Sequence, residues 1–349
     1  MKIGNRLISI RHKPFIVAEL SGNHSGSLRN ALKLIKLAKE SGADAVKVQT
    51  YTPDDITLDI ERSDFIIKNK FSPWNNKKLF KLYEKAHTPL EWHKEIYSYA
   101  KKQKIICFSS VFNEKRVDFL EKLECPAYKI ASFENNHFPL IKRVLQTNKP
   151  VIVSTGMMSL NEIIKLINFL KKNRNKNLAV LKCCSSYPST LEEANIKTIQ
   201  FLRTKYKDIE IGLSDHSLGI AASCAAVSLG ASIIEKHLVI DKKSKAVDSS
   251  FSITPKELKD LSRLSAEIHK SIGSVNFSQS LHEKKNKKLK RSIYVIKNIN
   301  IEEKFSKNNI GIIRPGYGLK TEYYEKLLGK KSNKKLTKGT PFRLEYLKK

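Results

Sequence analysis

The chain has 349 residues, 40% of them hydrophobic, enough for one large core plus a small second domain. Lys and Arg number 65 against 34 Asp and Glu, a formal net charge of +31, but Lys outnumbers Arg roughly four to one and is spread along ordinary helix faces; a nucleic-acid partner, for which Arg-rich, aromatic-interleaved patches are the better sign, is therefore not expected. Five cysteines without a CxxC pair, no signal-peptide pattern and no apolar run long enough to span a bilayer lead us to expect a cytoplasmic protein without a disulfide framework or a membrane partner.

Short apolar runs alternate with longer amphipathic segments. FIVAEL (15–20) reads as a first strand, and SLRNALKLIKLAKESG (27–42) as a helix closed by Gly42 at its C′ position. AVKVQT (45–50) is a second strand. A long insertion (51–90) follows, and long loops of this kind are commonly functional. IICFSSV (105–111), AYKIASF (127–133) and VIVSTG (151–156) read as strands three to five. SLNEIIKLINFLKKN (159–173) is a helix capped by Ser159. AVLKCC (179–184), IEIGLSD (209–215) and SIIEKHLV (232–239) complete eight strands, the last two joined by the small-residue helix GIAASCAAVSLGA (219–231). Eight successive strand–helix units predict a (β/α)8 barrel over residues 1–280. EKKNKKLKR (283–291) falls at a basic linker expected over 281–290. Beyond it, RSIYVIKNINIEEKF, IGIIRPGYGL and GTPFRLEYL predict a small β-rich domain over 291–349, of a size that is marginal unless it docks.

In a parallel α/β barrel the site lies at the C-terminal ends of the strands. Here the seventh and eighth strands each end in a histidine, His216 and His237, 21 residues apart. Two imidazoles on neighbouring strand ends can share one metal ion. The other strand ends carry Glu19, Lys47, Gln49, Ser109, Ser110, Lys129, Ser132, Glu134, Ser154, Thr155, Lys182, Ser185, Ser214, Asp215, Glu235 and Lys236. Charges in a barrel are costly unless paired or bound to a ligand, so such a ring predicts a polar site. Lysines with serine hydroxyls suit a phosphate or carboxylate. Asp215 is placed to orient a ligand histidine. Lys129 and Ser132 have opposite parity, so a bend is expected at that strand end.

At these residues the chain resembles the sialic acid synthase family. The resemblance rests on AELSGNH (18–24), KVQTYTPDDIT (47–57), FSSVF (108–112), YKIASFE (128–134), STGM (154–157), GLSDHSLG (212–219) and EKHLVID (235–241). IRPGYGL (313–319) and GTPF (339–342) resemble that family's antifreeze-like (SAF) C-terminal domain, so the match runs nearly the whole chain in order. TYTPDDIT and YKIASFE are most similar to its pseudaminic acid branch. Two features depart from the pattern near the sugar: the small residues of SGNHSGS (21–27), and Val111 where proline is common.

The resemblance implies that phosphoenolpyruvate condenses with the open-chain aldehyde of a 2-acetamido sugar and water, releasing phosphate and a nine-carbon 2-keto acid. In the pseudaminic branch the sugar is 2,4-diacetamido-2,4,6-trideoxy-L-altrose. The N-acetylneuraminate and legionaminic acid branches run the same chemistry on other sugars. By the resemblance, His216 and His237 would hold a divalent metal, Mn²⁺ first and Mg²⁺ or Co²⁺ next. Lys129, Ser132, Ser154, Ser185 and Ser214 would hold the phosphate, and Lys47 and Gln49 the carboxylate. Glu19 would handle the water or aldehyde proton. Asp248 would meet the sugar or metal-bound water, while Tyr187 and Glu134 would shape the sugar pocket. It further implies a domain-swapped homodimer in which Arg314 reaches the acetamido group. A non-enzymatic binding protein using its basic surface is the remote alternative.

Overall fold

The computed structural model describes residues 1–70, 72–173, 177–244 and 246–348. The chain divides into two compact units, Met1–Gly273 and Ser274–Lys349. In the first, eight strands close a parallel barrel. They are β1 (Phe15–Glu19), β2 (Ala45–Thr50), β3 (Ile106–Val111), β4 (Tyr128–Ile130), β5 (Val151–Ser154), β6 (Leu178–Cys183), β7 (Glu210–Asp215) and β8 (Ile233–His237). Each pairs with its sequence neighbour, and β8 returns to β1 with His237 opposite Glu19. A short hairpin, Lys2–Ile3 with Arg6–Leu7, precedes β1.

The barrel reads as continuous apolar runs because both faces of each strand are covered. Alternate residues point inward. Val17, Ala45, Phe108 and Ile152 lie two positions before Glu19, Lys47, Ser110 and Ser154 and are wholly buried. The barrel is therefore a packed core beneath a polar top layer. Burial of one such large side chain contributes about 1.5–3 kcal/mol.

Helix α1 (Leu28–Glu40) buries Ala31, Leu34, Ile35 and Ala38, the 3.6-residue stripe that faces a core. Ser27 caps its start through Asn30 N, and Gly42 follows its end with φ +86°, a conformation L side chains rarely adopt. In the insertion after β2, α2 (Leu79–Ala86) is the one α-helix among the described residues. The next helices are α3 (His93–Lys102), α4 (Glu114–Glu121) and α5 (Phe138–Leu145). Helix α6 (Leu160–Lys172) starts at a capping box in which Ser159 and Glu162 satisfy each other's backbone N–H groups. α7 (Lys197–Lys205) and α8 (Ala221–Ser228) follow, and α9 (Pro255–Ile272) closes the unit. The insertion is pinned at its start by Arg116, whose Nε donates to Asp55 Oδ2 at 2.5 Å. Farther along it, the Trp74 indole donates to the Val247 carbonyl at 3.2 Å.

In the second unit β9 (Ser292–Val295) pairs antiparallel with β10 (Ile310–Ile313) over a small core that includes Ile293, Phe305 and Phe342. In GTPFRLEYL, expected to hold a short strand, GTPF bridges β9 at Tyr294–Pro341, with Val295 N donating to the Thr340 carbonyl at 3.0 Å and Phe342 N to the Ile293 carbonyl at 2.9 Å. The run expected as a basic linker over 281–290 coils into α10 (Leu281–Asn286) and a 3₁₀ turn, Lys287–Leu289, exposed along its length. No helix among the described residues is long and apolar enough to cross a membrane.

Candidate active site

Strand register brings one group of charges together at the C-terminal end of the barrel. Lys47 on β2 pairs with Glu19 on β1, lies 3.6 Å from Glu235 on β8, and donates to Ser110 Oγ on β3 at 2.9 Å. Lys129 on β4 lies 3.6 Å from Glu235 and donates to Ser154 Oγ on β5 at 2.7 Å. Ser214 on β7 donates to Glu235 Oε1 at 2.9 Å. Glu235 therefore links both lysines, a centrality that neither spacing nor parity revealed, since it reads as one strand-end carboxylate among several. Burial pushes its pKa up, but Lys129 and Lys47 outweigh that and hold it down at about 2. Burial raises Glu19, with Lys47 opposing, and burial lowers Lys129. Lys47 stays above its ordinary value because Glu19 and Glu235 overcome its burial.

Next to Lys129 the hydroxyls gather. Strand β4 ends at Ile130, and a 3₁₀ turn, Ser132–Glu134, brings Ser132 back to the barrel mouth despite its opposite parity. Ser132 Oγ accepts from Gly156 N at 3.2 Å. Ser185 Oγ is buried without a hydrogen-bond partner. A Cβ on Gly156 would collide with both hydroxyls, so this cradle requires glycine. Lys129 with Ser154, and the Ser132 and Ser185 hydroxyls at Gly156 two residues after Ser154, supply an ammonium and hydroxyls of the kind that bind an anion.

The two histidines stand nearby with ring centroids 5.3 Å apart. His216 Nδ1 lies 2.9 Å from the Cys184 carbonyl, which leaves Nε2 as its available lone pair. His237 is held neutral, its pKa lowered first by burial and then by His216. Its Nδ1 is buried without a hydrogen-bond partner and lies 3.7 Å from Asp248 Oδ2. For His216, burial would lower the pKa, but Cys183, 3.8 Å away, and the Cys184 carbonyl raise it. Among the described residues no cluster of three or more His, Cys, Asp or Glu could enclose a metal. The residues present fit a divalent ion only as an open site, with two imidazoles on the protein side and oxygen ligands from water or substrate.

An aromatic wall flanks this pair. Tyr187 lies 4.4 Å from His216 and Phe251 5.0 Å from His237, centroid to centroid. Trp74 meets both rings, at 5.6 Å and 6.3 Å, and Phe133 stacks on Tyr187 at 6.4 Å. Glu134, in the turn after β4, is buried with Oε2 unpartnered, and burial pushes its pKa up to about 7. The sequence reading missed Trp74, Phe251 and Phe133. A tryptophan inside the insertion, one of two in the chain, was the available signal.

Several expected members of the ring lie elsewhere. Asp215 and Lys236 pair at 2.9 Å, with Asp215 also accepting from Ser223 on α8 at 2.6 Å. Both therefore sit on the helix side of the barrel wall. Asp215 does not orient His216 directly; strand alternation turns it away. Ser109 likewise turns outward, bonding Thr50 Oγ1 at 2.6 Å, and Thr50 meets His93 of α3 at 2.8 Å. Lys182 donates to its neighbour's carbonyl, Cys183 O, at 3.0 Å and lines a cavity of about 370 Å³ with residues of α6 and α7. Gln49 is partly buried at the end of β2. Arg314 stands exposed on the second unit, just after β10.

Known families match each of the two units. The NeuB family profile matches residues 34–277 and the SAF domain profile residues 290–348. A pseudaminic acid synthase of Campylobacter jejuni is 43% identical over 97% of each chain, and one of Helicobacter pylori 39% identical over 94% of this chain and 96% of its own. Among solved structures, an N-acetylneuraminic acid synthetase of Leptospira borgpetersenii superposes with a TM-score of 0.72 at 30% identity, covering 82% of this chain and 94% of that one. On the eight-strand barrel, the domain behind it and these full-length matches, the chain belongs to the NeuB family of sialic acid synthases.

Proposed function

We propose that this enzyme condenses phosphoenolpyruvate with 2,4-diacetamido-2,4,6-trideoxy-L-altrose and water, giving pseudaminic acid and inorganic phosphate. The observation that carries the reading is the anion cradle of Lys129, Ser132, Ser154, Ser185 and Gly156 beside two buried imidazoles. The identity of 43% to a pseudaminic acid synthase over nearly the whole chain favours this sugar.

Lys129 and the serines receive the phosphate through charge-assisted bonds, with Ser214 supporting from β7. Lys47, flanked by Glu19 and Glu235, is the cation for the carboxylate, and Gln49 extends that end. His216 and His237 would hold a divalent metal, Mn²⁺ by preference, which would supply Lewis-acid polarisation of the aldehyde oxygen. The enolpyruvate C3 forms the new bond to the aldehyde carbon, water adds at C2, and the C–O bond to phosphate breaks. Glu19 carries the proton in this exchange: burial raises its pKa while Lys47 holds it in place. Asp248, beside His237, meets the sugar, and Glu134 accepts from a sugar hydroxyl.

The enzyme works in the cytoplasm, where its five unpaired cysteines stay reduced. It functions as a domain-swapped homodimer. Arg314 of one copy then meets the acetamido group bound by the other.

The test is a sugar panel. Metal-stripped protein resupplied with Mn²⁺ and phosphoenolpyruvate is given each candidate sugar in turn. Phosphate release with a nine-carbon product only from the diacetamido-altrose supports the proposal. Turnover of N-acetylmannosamine or the legionaminic precursor instead overturns the choice of sugar, and no release from any sugar overturns the reaction.

A further inference from the structure

The insertion after β2 carries no charge into the strand-end ring, yet its tryptophan reaches the histidines' aromatic neighbours. Trp74 is fixed at two points, by its indole bond to the Val247 carbonyl at 3.2 Å and by ring contacts to Tyr187 and Phe251. Those rings are themselves in contact with His216 and His237. Trp74 thus stands one ring farther from the imidazoles than Tyr187 does. With its aldehyde carbon at the histidines, a sugar would bring its remote end nearer to Trp74 than its reacting end, because Tyr187 and Phe251 stand between the indole and the imidazoles. The phosphate side of the site is lysine and serine, whereas the rings that Trp74 touches, Tyr187 and Phe251, give this side an aromatic face.

We infer that Trp74 is a specificity-determining residue: it forms the apolar wall that receives the methyl end of a 6-deoxy sugar and disfavours a sugar ending in a hydroxymethyl group. The inference rests on the sugar class proposed above. A methyl group pressed on an aromatic face sheds water at no polar cost. A hydroxyl there must give up a hydrogen bond to water against ring carbons. Apolar pockets discriminate by one carbon group with factors of about 10 to 200. The expected effect is therefore a change in selectivity rather than a loss of chemistry.

Two readouts test this. In steady-state kinetics, Trp74→Ala raises KM for the diacetamido-trideoxy sugar by at least about tenfold. KM for phosphoenolpyruvate stays within twofold, and the preference for that sugar over N-acetylmannosamine shrinks. Trp74→Phe, which keeps an aromatic face, retains most of the preference. The second readout needs no turnover. The chain has two tryptophans, Trp74 and Trp92, so Trp92→Phe leaves Trp74 as the sole indole. Titrating the sugar into that variant, with Mn²⁺ and inorganic phosphate present and phosphoenolpyruvate omitted, shifts or quenches the Trp74 emission. An unchanged preference in both Trp74 variants, or an emission that ignores the sugar, overturns the inference. Should the parent enzyme turn over none of the sugars while the 6-deoxy sugar still perturbs Trp74, the proposed reaction fails and this inference stands.

Discussion

The two sides of the site are built differently. The charged side is carried on strands: Glu19, Lys47, Lys129, Ser154, Ser214 and Glu235 occupy successive inward positions of a closed barrel, so register alone brings them together. The aromatic side is carried on loops: Trp74 comes from the insertion after β2, Phe133 from the turn after β4, and Tyr187 and Phe251 from the segments after β6 and β8. A rigid, charge-matched half suits a step common to a family, because electrostatic preorganisation demands fixed positions. A half made of loops can change its substrate preference without disturbing that chemistry.

Loss of a charge from the strand-borne half should have the largest effect. Lys129→Ala takes away the ammonium at the anion cradle, and we expect kcat/KM for phosphoenolpyruvate to fall by roughly 10³, read by phosphate release. A drop below tenfold would mean the phosphate lies elsewhere. Glu134 tests the boundary between the halves. Its carboxyl is pushed up to about 7 by burial. KM for the sugar should therefore rise as pH falls through about 7, where Glu134 takes up a proton and loses the charge that strengthens its bond from a sugar hydroxyl. Glu134→Gln should flatten that dependence and lower kcat/KM by about 10².

Smaller effects sharpen the picture. Gly156→Ala puts a methyl against the Ser132 and Ser185 hydroxyls. Phosphoenolpyruvate binding measured by calorimetry should weaken about tenfold, the loss of roughly one charge-assisted hydrogen bond, with the sugar KM unmoved. Glu235 predicts a mild acid sensitivity. Its pKa is held at about 2, below the ordinary 4.5. Its contribution to stability is present above pH 4.5 and is lost as pH falls towards 2. Urea midpoints should decline across that window, and the decline should be shallower in Glu235→Gln, which starts from a lower midpoint.

How much of this was legible in the sequence follows the same division. The eight strands, Gly42 beyond α1, the Ser159 cap and the histidine pair at successive strand ends were readable, because each rests on local periodicity or on one residue's backbone preference. Facing was readable only where alternation held. Lys47 and Lys129 point inward as strand ends should, while Asp215, Lys236 and Ser109 sit on the opposite face one residue away. Composition cannot tell those two faces apart, since a charge buried against α8 by a partner resembles a charge awaiting a ligand. Trp74 stayed hidden for another reason: more than 100 residues separate it from Tyr187 and Phe251, and no strand period links an insertion to loops across the barrel. Ser132 shows the converse case, in which a 3₁₀ turn restored a facing that strand parity denied.

The central claim is that one anion cradle and one imidazole pair share a single site at the top of the barrel. A crystal structure of the enzyme grown with phosphoenolpyruvate and Mn²⁺, with the manganese anomalous signal recorded, tests it most directly. Phosphate density enclosed by Lys129, Ser132, Ser154 and Ser185 is expected, with an anomalous peak bonded to His216 Nε2 and a ring nitrogen of His237. A phosphate bound away from Lys129, or a manganese peak that touches neither histidine, would contradict it.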